Sequence, residues 1–256
     1  MEATPVFKLG QTPHQVMTDL LGQTPDEGFM AALRGDRKLY RHQEEAIRRV
    51  TQGHNVVVAT GTGSGKTESF LYPILLQLYR EFDAQQLGAG VRALVLYPMN
   101  ALANDQRDRL GAPPMNPNDQ GGILHALQQA QSPFKFTFGQ YIGQTPENAD
   151  PNSAAVFYGE VATRAEMRQT PPHILLTNYS MLEYLLLRPN DSPLFDGQNA
   201  QTWRYIVLDE AHQYRGAKGI EMGDVVASPK TTAARIGQYP RFALHRDKRI
   251  INRQFR

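Results

Sequence analysis

Residues 56–67 read VVVATGTGSGKT: a short β-branched run, three alternating glycines, then Lys66 and Thr67. The first four residues suit a buried strand. Beyond the loop, residues 68–79 carry Phe70, Leu71, Ile74, Leu75 and Leu78 at helical spacing. Strand, glycine loop and helix, in that order, are the context in which Gly-Lys-Thr cradles phosphate. Gly61, Gly63 and Gly65 let the backbone around Thr60, Thr62 and Ser64 curl until its N–H groups converge on an anion. The helix N-terminus adds its partial positive charge. Lys66 then reaches the outer phosphates of ATP, and the Thr67 hydroxyl holds a magnesium ion. The competing reading is a glycine turn capping an ordinary helix. Three alternating glycines between a buried strand and a helix count against it.

Working outward, residues 1–38 form a helical lead-in. Residues 12–15 (TPHQ) and 24–27 (TPDE) each place Thr at N-cap, Pro at N1 and Gln15 or Glu27 at N3, the pattern of a capping box. The preceding Gly-Gln makes GQTP, which recurs at Gly143, and turn chemistry accounts for the recurrence. Residues 39–50 (LYRHQEEAIRRV) read as an amphipathic helix. Their position ahead of the phosphate loop adds a second reading, in which Gln43 pairs with an adenine edge and Tyr40 or Arg41 stacks on the base.

Apolar strands are predicted at 91–97, 136–142, 173–177 and 203–208, and helices at 99–110, 162–168 and 180–187. The Pro-, Asn-, Gly- and Gln-rich segment 111–135 reads as a surface insertion with one short helical candidate at 123–130. Strands alternate with helices and hairpin signals are lacking, so the fold class is α/β with a mostly parallel sheet covered on both faces. Ligands of such sheets gather at the carboxyl ends of strands. The phosphate loop, Pro98, Thr177 and Asp209 all occupy such ends.

The strand at 203–208 runs into Asp209-Glu210-Ala211-His212. Asp209 is suited to hold magnesium, directly or through water, and Glu210 to take a proton from the attacking water. His212 is near enough to sense the γ-phosphate.

Together these segments resemble the first RecA-like domain of superfamily 2 DEAD/DEAH-box helicases. TGTGSGKT resembles motif I, with Thr60 where many members have Ala or Gly. LYPMNALANDQ (96–106) resembles motif Ia, ILLTNYSMLEYLLLRP (174–189) motif Ib, VLDEAHQYRGAKGIEMG (207–223) motif II, and YRHQEEAI the Q-motif region. The wording is most similar to large bacterial helicases of DNA repair and phage defence. The resemblance spans 39–223 and implies a RecA-like ATP-binding domain. It implies ATP and magnesium roles for Lys66, Thr67, Asp209 and Glu210, adenine recognition by Gln43, and nucleotide-to-nucleic-acid coupling by His212. Asn100, Asn104, Thr177 and Asn178 become candidates for contacting a nucleic-acid backbone, with DNA expected over RNA. Capping and turn formation is the competing account of those four.

Past Gly223 the resemblance stops and the charge changes. Residues 224–256 hold eight Lys/Arg against two Asp, whereas 1–223 hold 19 basic and 23 acidic groups. This tail is expected to be a poorly ordered frameshift or truncation product, with a nucleic-acid-binding basic arm as the rival. Helicases of this kind draw arginine fingers from a second RecA-like domain, which is expected here in trans. A fragment that binds nucleotide and nucleic acid without turnover is the alternative function. The chain has no cysteine, which excludes disulfide scaffolds and agrees with a reducing, cytoplasmic setting. No signal peptide and no membrane span are expected.

Overall fold

The computed structural model describes residues 7–61, 63–116, 119–149, 155–213 and 241–245, leaving out the side chains of His212 and 241–245. Six strands, β1 (Val56–Val58), β2 (Ala93–Tyr97), β3 (Phe138–Tyr141), β4 (Ile174–Asn178), β5 (Tyr205–Leu208) and β6 (Arg241–His245), form one sheet in the order β1-β6-β5-β2-β4-β3. Every strand pairing is parallel. All the carboxyl ends therefore share one edge.

Alternation along the strands assigns the helices to faces. Ala93, Val95, Tyr97, Ile174, Leu176, Tyr205 and Val207 join one buried cluster with α3 (Arg41–Thr51), α4 (Lys66–Asp83), α5 (Asn100–Gly111) and α6 (Ile123–Gln129). Leu94, Leu96, Leu175 and Ile206 join the other with Met167 of α7 (Arg164–Gln169) and with α8 (Tyr179–Leu187). Each fully buried large aliphatic side chain contributes about 1.5–3 kcal/mol, so Leu75, Leu76 and Leu78 anchor α4 to the sheet.

The lead-in shares this core. Val16 and Met17 of α1 (Pro13–Leu21) and Phe29 and Met30 of α2 (Glu27–Ala32) are buried in the first cluster. Leu9 bridges Tyr40 in antiparallel fashion, with Gly10 N–H donating to the Leu39 carbonyl at 2.7 Å. The capping box at Thr12 forms, with Thr12 and Gln15 bonded reciprocally at 3.1 and 3.2 Å. The second one does not begin at Thr24. Asp26 is the N-cap of α2, its carboxylate accepting from Phe29 N–H at 2.9 Å. A carboxylate one residue before the helix outcompetes a hydroxyl further back.

Two expectations about the second half are corrected. Within 111–135, Leu124, Leu127 and Phe134 lie in the main core, so this segment contributes to the core as well as to the surface. Within the tail, β6 is a strand between β1 and β5. Residues 214–240 and 246–256 lie outside the described residues, as does Thr62. No helix among the described residues is long and apolar enough to cross a membrane.

Candidate functional site

The glycine loop leaves β1 and enters α4 through Gly65, whose φ of +67° is left-handed, as is that of Gly63 at +73°. Gly65 is also a close approach: a Cβ there would meet the Gln43 amide nitrogen at 2.5 Å. Side chains tie the loop to itself and to α3. The Thr60 and Ser64 hydroxyls lie 2.6 Å apart, and Lys66 Nζ donates to the Thr60 carbonyl at 3.1 Å. Thr67 follows in the first turn of α4.

Gln43 is buried and braces the loop. Its Oε1 accepts from Tyr40 N–H at 2.7 Å, and its Nε2 donates to the Gly65 carbonyl at 2.6 Å and lies 3.3 Å from Glu68 Oε2. The expectation reserved this amide for adenine; here it bonds backbone on both sides. His42, one residue earlier, was missed by the sequence reading. Its Nε2 donates to the Ser64 carbonyl at 3.0 Å. Burial lowers its pKa, which favours the neutral ring. Phe7, Tyr40 and His42 form an aromatic group with ring centroids 5.2–5.7 Å apart beside the loop. Of the two stacking candidates, Tyr40 belongs to it, whereas Arg41 is exposed on α3.

At the end of β5, Asp209 N–H donates to the Leu96 carbonyl at 3.0 Å, and Asp209 Oδ1 accepts from Glu210 N–H at 2.9 Å. Glu210 has φ +47°, left-handed for a residue with a Cβ, and a 3₁₀ turn follows at Ala211–Gln213. Such backbone costs on the order of 1–3 kcal/mol and is found where surrounding structure over-determines it, often at reactive sites. The His212 side chain lies outside the described residues.

Further along the same edge, amide side chains meet. Asn178 Nδ2 donates to Asn100 Oδ1 at 2.7 Å, and Asn100 Nδ2 to Gln144 Oε1 at 3.1 Å. Gln140 Nε2 donates to Asn104 Oδ1 at 2.7 Å. Three of the four expected nucleic-acid residues thus share a row with Gln140 and Gln144, which the sequence reading passed over. The available signal was the third GQTP, placed directly after a strand. Asn178 also caps α8, accepting from Met181 N–H at 2.8 Å. Thr177 is corrected. It is completely buried, and its hydroxyl donates to the Tyr141 carbonyl at 2.6 Å, because strand alternation turns it away from the row.

A family model described as DEAD/DEAH box helicase matches residues 40–121, from Tyr40 through the phosphate loop and α5. Druantia protein DruE of Escherichia coli (strain UMEA 4076-1) is 31% identical over an alignment covering 87% of this chain and 16% of DruE. The chain belongs to the DEAD/DEAH-box helicases. The uncharacterized ATP-dependent helicase YprA of Bacillus subtilis (strain 168) is 30% identical, covering 90% of this chain and 26% of YprA. Among solved structures, the DUF1998 helicase MrfA bound to DNA and AMPPNP is similar with a TM-score of 0.64 at 27% identity, over 95% of this chain and 28% of that one. The helicase Mss116, at 18% identity and a TM-score of 0.63, shares the RecA-like fold. The chain thus spans about a sixth to just over a quarter of DruE, YprA and MrfA, as the resemblance to large bacterial helicases implies.

Proposed function

We propose that this chain is the first ATP-binding domain of a nucleic-acid helicase or translocase, with DNA as its polynucleotide. The observation that carries this reading is the shared edge. The glycine loop, Asp209-Glu210 and the row of Asn and Gln amides all sit at the carboxyl ends of one parallel sheet. The DNA in the MrfA structure supports DNA as the partner. Neutral amides suit contact with phosphates and sugars, which fixes register without reading sequence.

In this reading the loop N–H groups and Lys66 hold the phosphates. Tyr40 receives the base beside the loop that the Gln43 amide braces, and Glu210 takes the proton of the attacking water. His212 relays the state of the γ-phosphate. The donors present fit magnesium. Thr67 and Asp209 offer two hard oxygens, and no group of three or more His, Asp or Glu suited to a metal exists among the described residues. Magnesium is usually held by one or two protein oxygens together with water and substrate phosphate. When bound, it would offset the charge that develops on the phosphates. The absence of cysteine supports a cytoplasmic setting.

Turnover in trans is the second part of the proposal. An arginine finger is typically worth ~10³–10⁵ in rate. These 256 residues by themselves therefore bind ATP and turn it over near background, and a second RecA-like domain in trans restores turnover. Steady-state ATPase activity with and without single-stranded DNA, for wild type and Lys66→Ala, tests both parts. Binding of a fluorescent ATP analogue that Lys66→Ala abolishes, with turnover near background, is the expected result. DNA-stimulated turnover by the chain alone would overturn the need for a partner, and no analogue binding would overturn the nucleotide site.

A further inference from the structure

Tyr97 ends β2, is completely buried, and is not used by the site as described so far. The register pairing Leu96 with Leu208 continues through the bond from Asp209 N–H to the Leu96 carbonyl, so Tyr97 and Asp209 are neighbours at the ends of adjacent strands. Residues in register on parallel strands point to the same face. Ala93, Val95 and Tyr97 on β2, like Tyr205 and Val207 on β5, face the layer of α4 and α5. The tyrosine ring and the Asp209 side chain therefore rise together on the face that carries Lys66 and Thr67 at the start of α4.

The Tyr97 hydroxyl has no hydrogen-bond partner among the described residues. Other buried tyrosines of this protein are satisfied. Tyr72 donates to the Leu33 carbonyl at 2.9 Å, Tyr79 accepts from Asp26 N–H at 2.9 Å, and Tyr141 donates to Asp191 at 2.6 Å. An unsatisfied buried hydroxyl costs about 1–3 kcal/mol, and phenylalanine would fill the same ring volume without that cost. At neutral pH a tyrosine hydroxyl is an O–H donor. A fixed donor beside the carboxylate of a magnesium site matches the role of outer-sphere groups, which orient ligands and bound water.

We propose that the Tyr97 hydroxyl is a positioning group of the nucleotide site, donating a hydrogen bond to water held between Asp209 and magnesium. The inference rests on the nucleotide-site reading above. It assigns the hydroxyl no bond-making step.

Tyr97→Phe removes only the hydroxyl and tests it. The affinity of a fluorescent ATP analogue is measured in magnesium and in EDTA, for wild type, Tyr97→Phe and Lys66→Ala, together with each melting temperature. The expected result is a magnesium-dependent gain in affinity smaller by about 10-fold in Tyr97→Phe, on the scale of outer-sphere substitutions. Its affinity in EDTA and its melting temperature equal or exceed those of wild type. An equal gain in both proteins overturns the proposal, as does a loss that is the same with and without magnesium. A lower melting temperature without nucleotide also overturns it, because the hydroxyl would then have a structural partner. Wild type that binds no analogue overturns the nucleotide reading itself and this inference with it, whereas the other results leave that reading standing.

Discussion

Gln43 shows how a single side chain can bear on a site before any ligand arrives. Its two amide atoms join Tyr40 N–H at the start of α3 to the Gly65 carbonyl at the start of α4. Removing one partner of a buried hydrogen bond leaves the other unsatisfied at about 1–3 kcal/mol. Gln43→Ala should therefore lower the melting temperature of the nucleotide-free protein by several degrees, at ~2–4 °C per kcal/mol for a domain of this size. A residue reserved for the base would leave that temperature unchanged. Glu210 offers a second test at this scale. Its positive φ is costly for any residue with a Cβ and costs Gly little. Glu210→Gly should melt above Glu210→Ala by about 1 kcal/mol in a denaturant titration, although both lack the carboxylate. Equal stabilities would show that the left-handed turn relaxes once the side chain is gone.

Elements are held together at the opposite, amino edge of the sheet by His173 and Arg92. His173 Nδ1 accepts from Thr137 N–H at 2.8 Å, and its Nε2 lies 3.1 Å from the Gly88 carbonyl. Arg92, nearly buried, pairs with Glu81 of α4 at 2.8 Å and donates to the Gly88 and Gly90 carbonyls. Burial, then the charge of Arg92, lowers the His173 pKa to about 4, against an ordinary value of 6.5. The fold thus prefers the neutral ring, since a proton on Nδ1 would face another donor. This stability is fully present above pH 6.5 and is lost as pH falls from there to about 4, amounting to about 3 kcal/mol at the acid end. Urea midpoints at pH 7 and pH 4.5 should differ by more in wild type than in His173→Gln, which carries no titrating group there. The elements most legible in the sequence were those with continuous local signals. These include the buried runs of β2, β4 and β5 and the heptad-like spacing of α4. β3 was placed correctly but two residues too long at its start, because Phe136 is buried without belonging to a strand. His42, Tyr97, Gln140 and Gln144 were not legible, because their placement depends on which strands become neighbours.

At the scale of the whole molecule, the two halves of the nucleotide site are joined through β6. The glycine loop follows β1 and Asp209 follows β5, and these strands are bonded to β6, not to each other. Local pattern could not reveal this. RFALH is five residues long, set among basic and polar neighbours, and its apolar core of Phe242, Ala243 and Leu244 is shorter than the apolar runs of β2 and β5. Its register, with Ala243 opposite both Val56 and Val207, fixes the height of the loop relative to the acidic pair. A positive charge balance and lost resemblance made residues 224–256 read as dispensable, yet parallel pairing at the sheet centre is a long-range contact that composition does not encode. A chain ending at residue 240 leaves β1 without a sheet neighbour among the described residues. That deletion should lower the melting temperature and weaken binding of a fluorescent ATP analogue by at least about 10-fold, since a displacement of ~1 Å at a positioning element can cost 10²-fold in function. Replacing Ala243 with Pro removes one ladder donor from the strand interior and should act in the same direction within a full-length chain. A deletion variant that melts and binds like the full chain would return the tail to the role of an appendage and leave the loop held by α3 and α4 alone.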